Sequence, residues 1–505
     1  MVSIETTQDI ETFRQVAILL SRQNQKLIDR IKALSLELSK LRGQELTSAQ
    51  LELGLLKELL ANRNRALFGE SSEKRLAAKT PPANPDPKPR TGHGPREQRN
   101  LPIVEQMHDV PEAERVCKAC GGTDLSEMKG MEEESEEVTV VERQFVLVRH
   151  RRKKYRCSCN GCIVTAAPPL KLQEGSRYSI EFAVEVAASK YLDHMPLERQ
   201  VRIMGREGLT VDSQTLWDQI EVLAKYLKPS HEAVRNELFR SSLLHADETW
   251  WRLMAKGGSK KWWCWSLSSE RGVYHTIFDS RSRDAAEKML EGYAGKLMVD
   301  GYGVYGSVSR AGVVTLAHCW AHVRRKFVED EQNHPEECKA VLDLIGELYG
   351  IERTVPRPSP GSDESSRRES LALRLKVRQE KSAAVVANIR DWAYAQAALP
   401  ESQFGKAIAY MLGLWEGLTR FVKDAEIPLD NNLAERALRG TVIGRKNHYG
   451  SRSKRGTEVA ALFYSLVETA QVWGVEPKGY LLAAARAAIA APGTVTLPAS
   501  LLAGK

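Results

Sequence analysis

The chain has no apolar run approaching the roughly 18 residues that a bilayer-crossing helix needs, and its Ala-rich C-terminal segment is broken by Arg486. The opening MVSIETTQDIETFRQ carries acids and no hydrophobic stretch, so no secretory signal is expected. Neither a membrane protein nor a secreted one is predicted. Cysteine is sparse, eight in 505 residues, which excludes a disulfide scaffold. Charge of one sign does not dominate either. Lys plus Arg number 73 against 65 for Asp plus Glu, a net charge of +8, which favours a polyanionic partner without requiring one. What remains is 42% hydrophobic and 27% charged, the balance of a soluble globular protein, and a cytoplasmic location is expected. The length suits about three domains.

The residues are unevenly spread. Within 10–42, Leu20, Leu27, Leu34 and Leu41 recur every seven positions, with Ala17, Asn24, Ile31 and Leu38 on the companion seam. That heptad predicts a coiled coil of the leucine-zipper type, and a lone Asn on an apolar seam favours a parallel dimer in one register. With a second Leu-rich helix at about 47–67, residues 1–68 form a dimerisation region, making the protein a homodimer or higher. Residues 69–100 are rich in Pro, Gly and charge and read as a linker. In 101–170 the β-branched alternation of EEVTVVERQFVLVRHRRKKYRC predicts a small antiparallel sheet flanked by cysteines.

Residues 171–235 read as helices. MPLERQVRIMGREG and LTVDSQTLWDQIEVLAKYL meet at Gly208–Leu209 in a helix-turn-helix outline, whose second helix would enter a DNA major groove. From 236 to 440 the segments SLLHADETWWRL, KWWCWSLSS and GVYHTIFDS predict strands, followed by a helix and two further strands in a mixed α/β layer. Helices are expected at about 335–420 and again through 441–505. The fold class is multidomain α+β.

Five of the eight cysteines crowd between 117 and 162. Cys117-Lys-Ala-Cys120-Gly-Gly has the form of a zinc knuckle, its glycines allowing the bend that aims both sulfurs inward. Cys159 and Cys162 repeat the spacing, with Cys157 as the alternate. Four thiolates make a closed, structural Zn²⁺ ribbon. The acids tell of different chemistry. Asp247, in LLHADET, and Asp300, in KLMVDGYG, each fall in or at the end of an apolar strand, and Gly301 turns the chain after the second. Glu435, in PLDNNLAERALRG, sits just inside a helix that Asp430 or Asn431 would cap. Three carboxylates converging from two strands and a helix would hold two Mg²⁺ about 4 Å apart, the arrangement for in-line phosphoryl displacement.

The motifs HADET, VDGYG, CWAHVRRKF, LDNNLAERALR and GRKNHYGSRS, with LFGESSEK, the cysteine ribbon and KYLDHMPLERQ upstream, together resemble the insertion-sequence-66 family of bacterial DDE transposases. The resemblance runs in order from about 50 to 485. It implies an RNase H-like catalytic core with the triad at Asp247, Asp300 and Glu435. Asp300 follows Asp247 by 53 residues and Glu435 follows Asp300 by 135, a gap that implies a helical insertion at about 335–420. It also implies Mg²⁺-dependent cleavage and strand transfer at insertion-sequence ends, a nucleoid-associated setting, and small accessory proteins. Beside such a triad, Arg445, Lys446, Arg452, Lys454 and Arg455 read as a basic loop that neutralises DNA phosphates. Cys319-Trp320-Ala321-His322 has a C-x-x-H form; two ligands do not hold zinc by themselves, so a packing role is expected. YRCSCNGC departs from the family pattern by an extra cysteine, and nothing in the pattern gives His245 a role. Two other readings share some of these features. A non-catalytic DNA-binding regulator would need only the zipper, the ribbon and the helix-turn-helix, and has no reason to keep the triad. An RNase H-like nuclease without strand transfer would need the same metal site.

Overall fold

The computed structural model describes residues 144–156, 162–255, 258–309, 314–355, 363–398 and 400–502, with the isolated positions 54, 56, 105 and 121–123. The heptad segment, the linker, and Cys117, Cys120, Cys157 and Cys159 lie outside the described residues. β1 (Lys154–Arg156) and β2 (Ile163–Thr165) pair antiparallel, Tyr155 opposite Val164, and Cys162 stands exposed and free just before β2.

Three helices follow. α1 (Ile180–Tyr191) starts where the Ser179 hydroxyl accepts the Phe182 N–H. α2 (Leu197–Arg206) ends in a turn that Gly208 makes at a φ of 85°. α3 (Ser213–Leu238) is capped by Asp212, which accepts the Thr215 N–H at 2.6 Å. The helix pair expected from the sequence is present, but its second member is 26 residues long and passes through Pro229. It buries Leu216, Ile220, Leu223, Leu227, Val234 and Leu238, a stripe at helical spacing.

The sheet is built from β3 (Leu243–Ala255), β4 (Gly258–Ser269), β5 (Gly272–Phe278), β6 (Gly295–Val299) and β7 (Val314–His318). Its order is β5-β4-β3-β6-β7. The first three strands form an antiparallel meander, and α4 (Arg283–Leu290) carries the chain over to β6, which runs parallel to β3. A short helix, α5 (Gly303–Ser309), links β6 to the parallel β7. Helical crossovers are what parallel neighbours require.

Beyond β7 the chain is helical: α6 (Trp320–Asp330), α7 (Pro335–Thr354), α8 (Glu364–Val377), α9 (Ala383–Ala395), α10 (Gln403–Gly413), α11 (Trp415–Thr419), α12 (Asn432–His448), α13 (Lys454–Val472) and α14 (Pro477–Ala490). α8 and α9 join through one wider turn, Arg378–Ser382. The described part of 335–420 is helical, as expected from sequence, and it has its own core of Val341, Ile345, Ile389, Phe404 and Met411 closed against Met298 of β6 and Ala317 of β7. The buried Arg378 anchors it, donating to Glu352 Oε2 at 3.0 Å and to the carbonyls of Phe421 and Ile427 at 3.0 and 2.9 Å. The main core is shared by α1, α3, α13, α14 and the sheet.

Edge strand β5 would leave backbone groups unpaired. α13 covers them with side chains: Thr469 bonds both the N–H and the C=O of Val273, and the Ser465 hydroxyl accepts the His275 N–H. No helix among the described residues is long and apolar enough to cross a membrane.

Candidate active site

Asp247 lies on β3 and Asp300 directly follows β6. The parallel ladder pairs Leu243 with Lys296 and His245 with Met298. Two residues further along both chains, Asp247 and Asp300 stand level at the carboxyl end of that ladder. Gly301 then turns the chain at a φ of 97°, where a Cβ would strike Leu414. The Asp300 carboxylate accepts the Tyr302 N–H at 2.8 Å, and the Tyr410 hydroxyl donates to the Asp300 carbonyl. Both ends of the residue are thus held.

Oxygens of Asp247, Glu248 and Asp300 gather within 4.8 Å of one another. Burial, together with the charges of Glu248, Asp300 and Glu435, pushes the Asp247 carboxyl up to about 8. Glu248 is an acid the sequence reading passed over. Alternation along a strand puts neighbours on opposite faces, so the residue after a candidate ligand is normally discounted. Its Oε1 accepts Arg281 Nε at 2.8 Å and its Oε2 accepts the Tyr305 hydroxyl at 2.7 Å. Glu248 is therefore neutralised in place, which leaves Asp247 and Asp300 short of a counter-charge.

Glu435 falls outside that tight group. It sits in the first turn of α12, with Oε1 buried and without a hydrogen-bond partner, 3.7 Å from His322 Nε2. It is near enough for its charge to help raise Asp247. The three acids named from sequence thus approach one place from β3, β6 and α12, with Glu435 on the rim.

The start of α12 is fixed by residues from distant segments. Asn431, fully buried, donates from Nδ2 to the Ala246 carbonyl at 2.8 Å and accepts His245 Nδ1 at 3.0 Å. Its backbone N–H reaches Cys319 Sγ at 3.2 Å, and the Trp320 N–H donates to the Leu429 carbonyl at 2.9 Å. His245 therefore has a role after all. Burial pulls its pKa down to about 4, so it is neutral and serves as an Nδ1–H donor. The C-x-x-H segment has one as well: Cys319 holds Asn431 and His322 faces Glu435. Among the described residues no third metal-binding side chain joins that pair. Asn431 makes no side-chain cap bond; Asp430 Oδ1 accepts the Asn432 N–H instead, at 3.2 Å.

The expected basic loop is not a loop at its start. Arg445 to His448 are the last turn of α12, which ends where Tyr449 and Gly450 take positive φ values of 60° and 95°. Arg445 is buried; its Nη1 donates to Thr249 Oγ1 at 2.7 Å and to the Trp250 carbonyl, and its guanidinium lies 3.9 Å from the Trp250 ring centre. It is committed to the protein. Arg455 pairs with Glu221 and Glu458, and Arg452 with Glu198 at 3.6 Å. Lys446 and Lys454 are exposed without a partner among the described residues. So are Arg436 and Arg439, which the sequence reading missed although they lie three apart and each stands seven residues before Ile443 or Lys446, on one helix face. Of the five tryptophans on the β3–β4 hairpin, Trp251 and Trp265 are fully buried.

Comparison with known proteins adds an independent line. Residues 175–459 match the family described as "Transposase IS66 family", and residues 114–160 match the "zinc-finger binding domain of transposase IS66". "Uncharacterized protein y4qI" of Sinorhizobium fredii is 31% identical over 401 residues, 75% of this chain and 71% of its own length. "Uncharacterized protein y4hP" of the same organism is 28% identical over 488 residues, covering 89% of this chain and 85% of its own.

Proposed function

The chain belongs to the IS66 transposase family, and from that premise we propose that it binds insertion-sequence ends and catalyses metal-dependent DNA cleavage and strand transfer. One observation carries the reading: Asp247 and Asp300 stand level on parallel strands, with Glu435 at the head of the helix beside them, while the neighbouring Glu248 is paired with Arg281. The site fits a hard divalent cation. Its donors are carboxylate oxygens, one Glu435 oxygen is buried without a hydrogen-bond partner, and burial with the neighbouring carboxylates raises the Asp247 carboxyl. Asp247, Asp300 and Glu435 would hold two Mg²⁺. When bound, such ions activate the attacking water or 3′-hydroxyl and stabilise the leaving oxygen.

The remaining work falls to the chain itself. The β3–β6 register sets the spacing of the two aspartates. The Asn431 junction aims Glu435. Arg281 and Tyr305 keep Glu248 fixed as one wall, and the α12 face of Arg436, Arg439 and Lys446, with Lys454 beyond it, neutralises phosphates. The strand order, a meander continued by two parallel strands, supports an RNase H-like core interrupted by the insertion before α12. Cys117 and Cys120 with two of Cys157, Cys159 and Cys162 would form the structural Zn²⁺ ribbon, and the zinc-finger match ends at 160, which favours including Cys157. Dimerisation through the heptad segment, accessory proteins and nucleoid association complete the reading.

The test is a gel assay of full-length protein with labelled element ends in Mg²⁺ and in EDTA. Asp247→Ala, Asp300→Ala and Glu435→Ala should each abolish cleavage while end binding stays within about twofold, because phosphate contacts supply the affinity. Wild-type binding with no cleavage, even with accessory proteins added, would favour a regulator. Cleavage without joined products would favour a nuclease.

A further inference from the structure

A second concavity, of about 670 Å³, opens near the far end of α12 from Glu435. One wall comes from the end of α1 and the N-terminal parts of α2 and α3, carrying Lys190, Arg199, Arg202 and Trp217. The opposite wall is the segment after α12, carrying Tyr449 and Arg452. We propose that this cleft holds one or two unpaired nucleotides of the DNA strand that continues from the scissile phosphate, with the four cations on phosphate and the two rings stacking on a base. The proposal rests on the DNA-cleaving reading above and names where the strand goes next.

The charge is available. Lys190, Arg199 and Arg202 have no acidic partner among the described residues, and Arg452 reaches only Glu198, across a solvent-exposed gap of 3.6 Å. Burial, partly offset by the Glu198 carboxylate on the same wall, lowers the Lys190 ammonium to about 8, and the four cations of the cleft lining outnumber that one acid.

The rings point the same way. Tyr449 is one of two non-glycine residues with positive φ among the described residues, and its side chain is 63% exposed. A left-handed helix end favours glycine or asparagine, so an aromatic ring placed there at a steric cost and then left in solvent is suited to a ligand. Stacking on a ring accepts any base, and cations beside it hold the backbone.

Size decides between duplex and single strand. A helix that reads duplex must bring its N-terminal residues into a groove about 12 Å wide. Here the first turns of α3 face the segment after α12 across a cleft of small-ligand volume, within the range of about 300–1,000 Å³.

Distance gives the register. α12 spans about 20 Å from Glu435 to His448 at 1.5 Å per residue. β3 covers about 23 Å from Asp247 to Met254, which also lines the cleft. That separation is roughly six nucleotides at a 3.4 Å rise, and fewer if the strand is extended. The exposed face of α12, with Arg436, Arg439 and Lys446, lies along the way.

The experiment measures binding of full-length protein, in EDTA and low salt, to a labelled 12-residue oligothymidylate and to a 12-base-pair duplex by fluorescence polarisation. Trp217→Leu and Tyr449→Gly should each weaken oligothymidylate binding at least fivefold, the effect of losing one stacked base, and change duplex binding less than twofold. Tyr449→Gly suits the positive φ, so that variant keeps its fold. Failure of the wild type to bind oligothymidylate, equal binding by wild type and both variants, or a parallel loss on duplex would overturn the assignment. Protein that cuts DNA in Mg²⁺ while ignoring both substitutions sinks the cleft alone. Protein that grips oligothymidylate through these rings but never cuts sinks the transposase reading and leaves the cleft standing.

Discussion

Replacing Asp247 by Asn should stabilise the metal-free protein while destroying cleavage. In the folded chain, burial and three neighbouring carboxylates push Asp247 up to about 8, against about 3.9 for a free aspartate. At about 1.4 kcal/mol per pH unit, the full penalty above pH 8 would approach 6 kcal/mol. Asp247 is not sealed from water, and relaxation lowers the cost, so about 2 kcal/mol is the working figure. The folded state holds this proton more tightly than the unfolded chain does. Stability therefore falls as pH rises from about 4 through 8. Asparagine keeps the shape and removes the charge. At pH 8.5 in EDTA the variant should melt about 3 °C above wild type, given the unfolding entropy of a unit this large. At pH 5 most of that gain should vanish. Millimolar Mg²⁺ should raise the wild-type midpoint and leave the variant's nearly unmoved. Calorimetry at the two pH values, with a parallel cleavage assay, reads all of this. A variant no more stable than wild type at pH 8.5, or equally stabilised at pH 5, would refute the electrostatic account of the site.

Three further outcomes follow from the packing. Asn431→Ala leaves the buried His245 Nδ1–H and the Ala246 carbonyl without partners, so urea unfolding should show a loss of about 2–3 kcal/mol, and single-turnover cleavage should slow with DNA affinity unchanged. Arg378→Met strips Glu352 and the Phe421 and Ile427 carbonyls of a buried donor; the expected cost is about 3–5 kcal/mol in urea, with early proteolysis inside the insertion. At His275 burial opposes the imidazolium, but the Glu468 carboxylate at 2.5 Å outweighs it and holds the ring up at about 10. That stabilisation is complete below about pH 6.5 and is lost as pH climbs through 10, so Glu468→Gln should remove the wild-type decline in urea midpoint between pH 8 and 10, above the range in which Asp247 titrates.

Part of this was legible in the residues. The 53-residue step from Asp247 to Asp300 equals the offset of the β3–β6 ladder, so the two acids stand level although Asp247 lies inside β3 and Asp300 follows β6. Gly208 marked the turn of the α2–α3 pair. The pattern was less informative wherever tertiary contact overrides local character. Arg445 to His448 look like a solvated basic stretch, yet they are helical because the Arg445 guanidinium lies on Trp250 and bonds the β3 backbone. A change of periodicity near 235 and a basic run after 440 suggested region boundaries there, but α3 and α13 bury their apolar faces in the same core as the sheet.

The least legible residues are those that set the third acid. Glu435 follows Asp300 by 135 residues, and no spacing rule says how its helix should begin. The structure resolves this through a chain of contacts that no local pattern encodes. Arg378 in the insertion holds the Ile427 carbonyl; two residues on, Leu429 accepts the Trp320 N–H; two more, Asn431 is held by Cys319, His245 and Ala246. Glu435 lies one helical turn beyond. Each of those partners is an ordinary buried residue in its own segment, and each gains meaning only where the segments meet. The helical segment 335–420 is thus tied to the candidate site. It braces Asp300 through Tyr410 and Leu414 on one side and the approach to Glu435 through Arg378 on the other. Loosening its core should then misplace two acids together, without touching either.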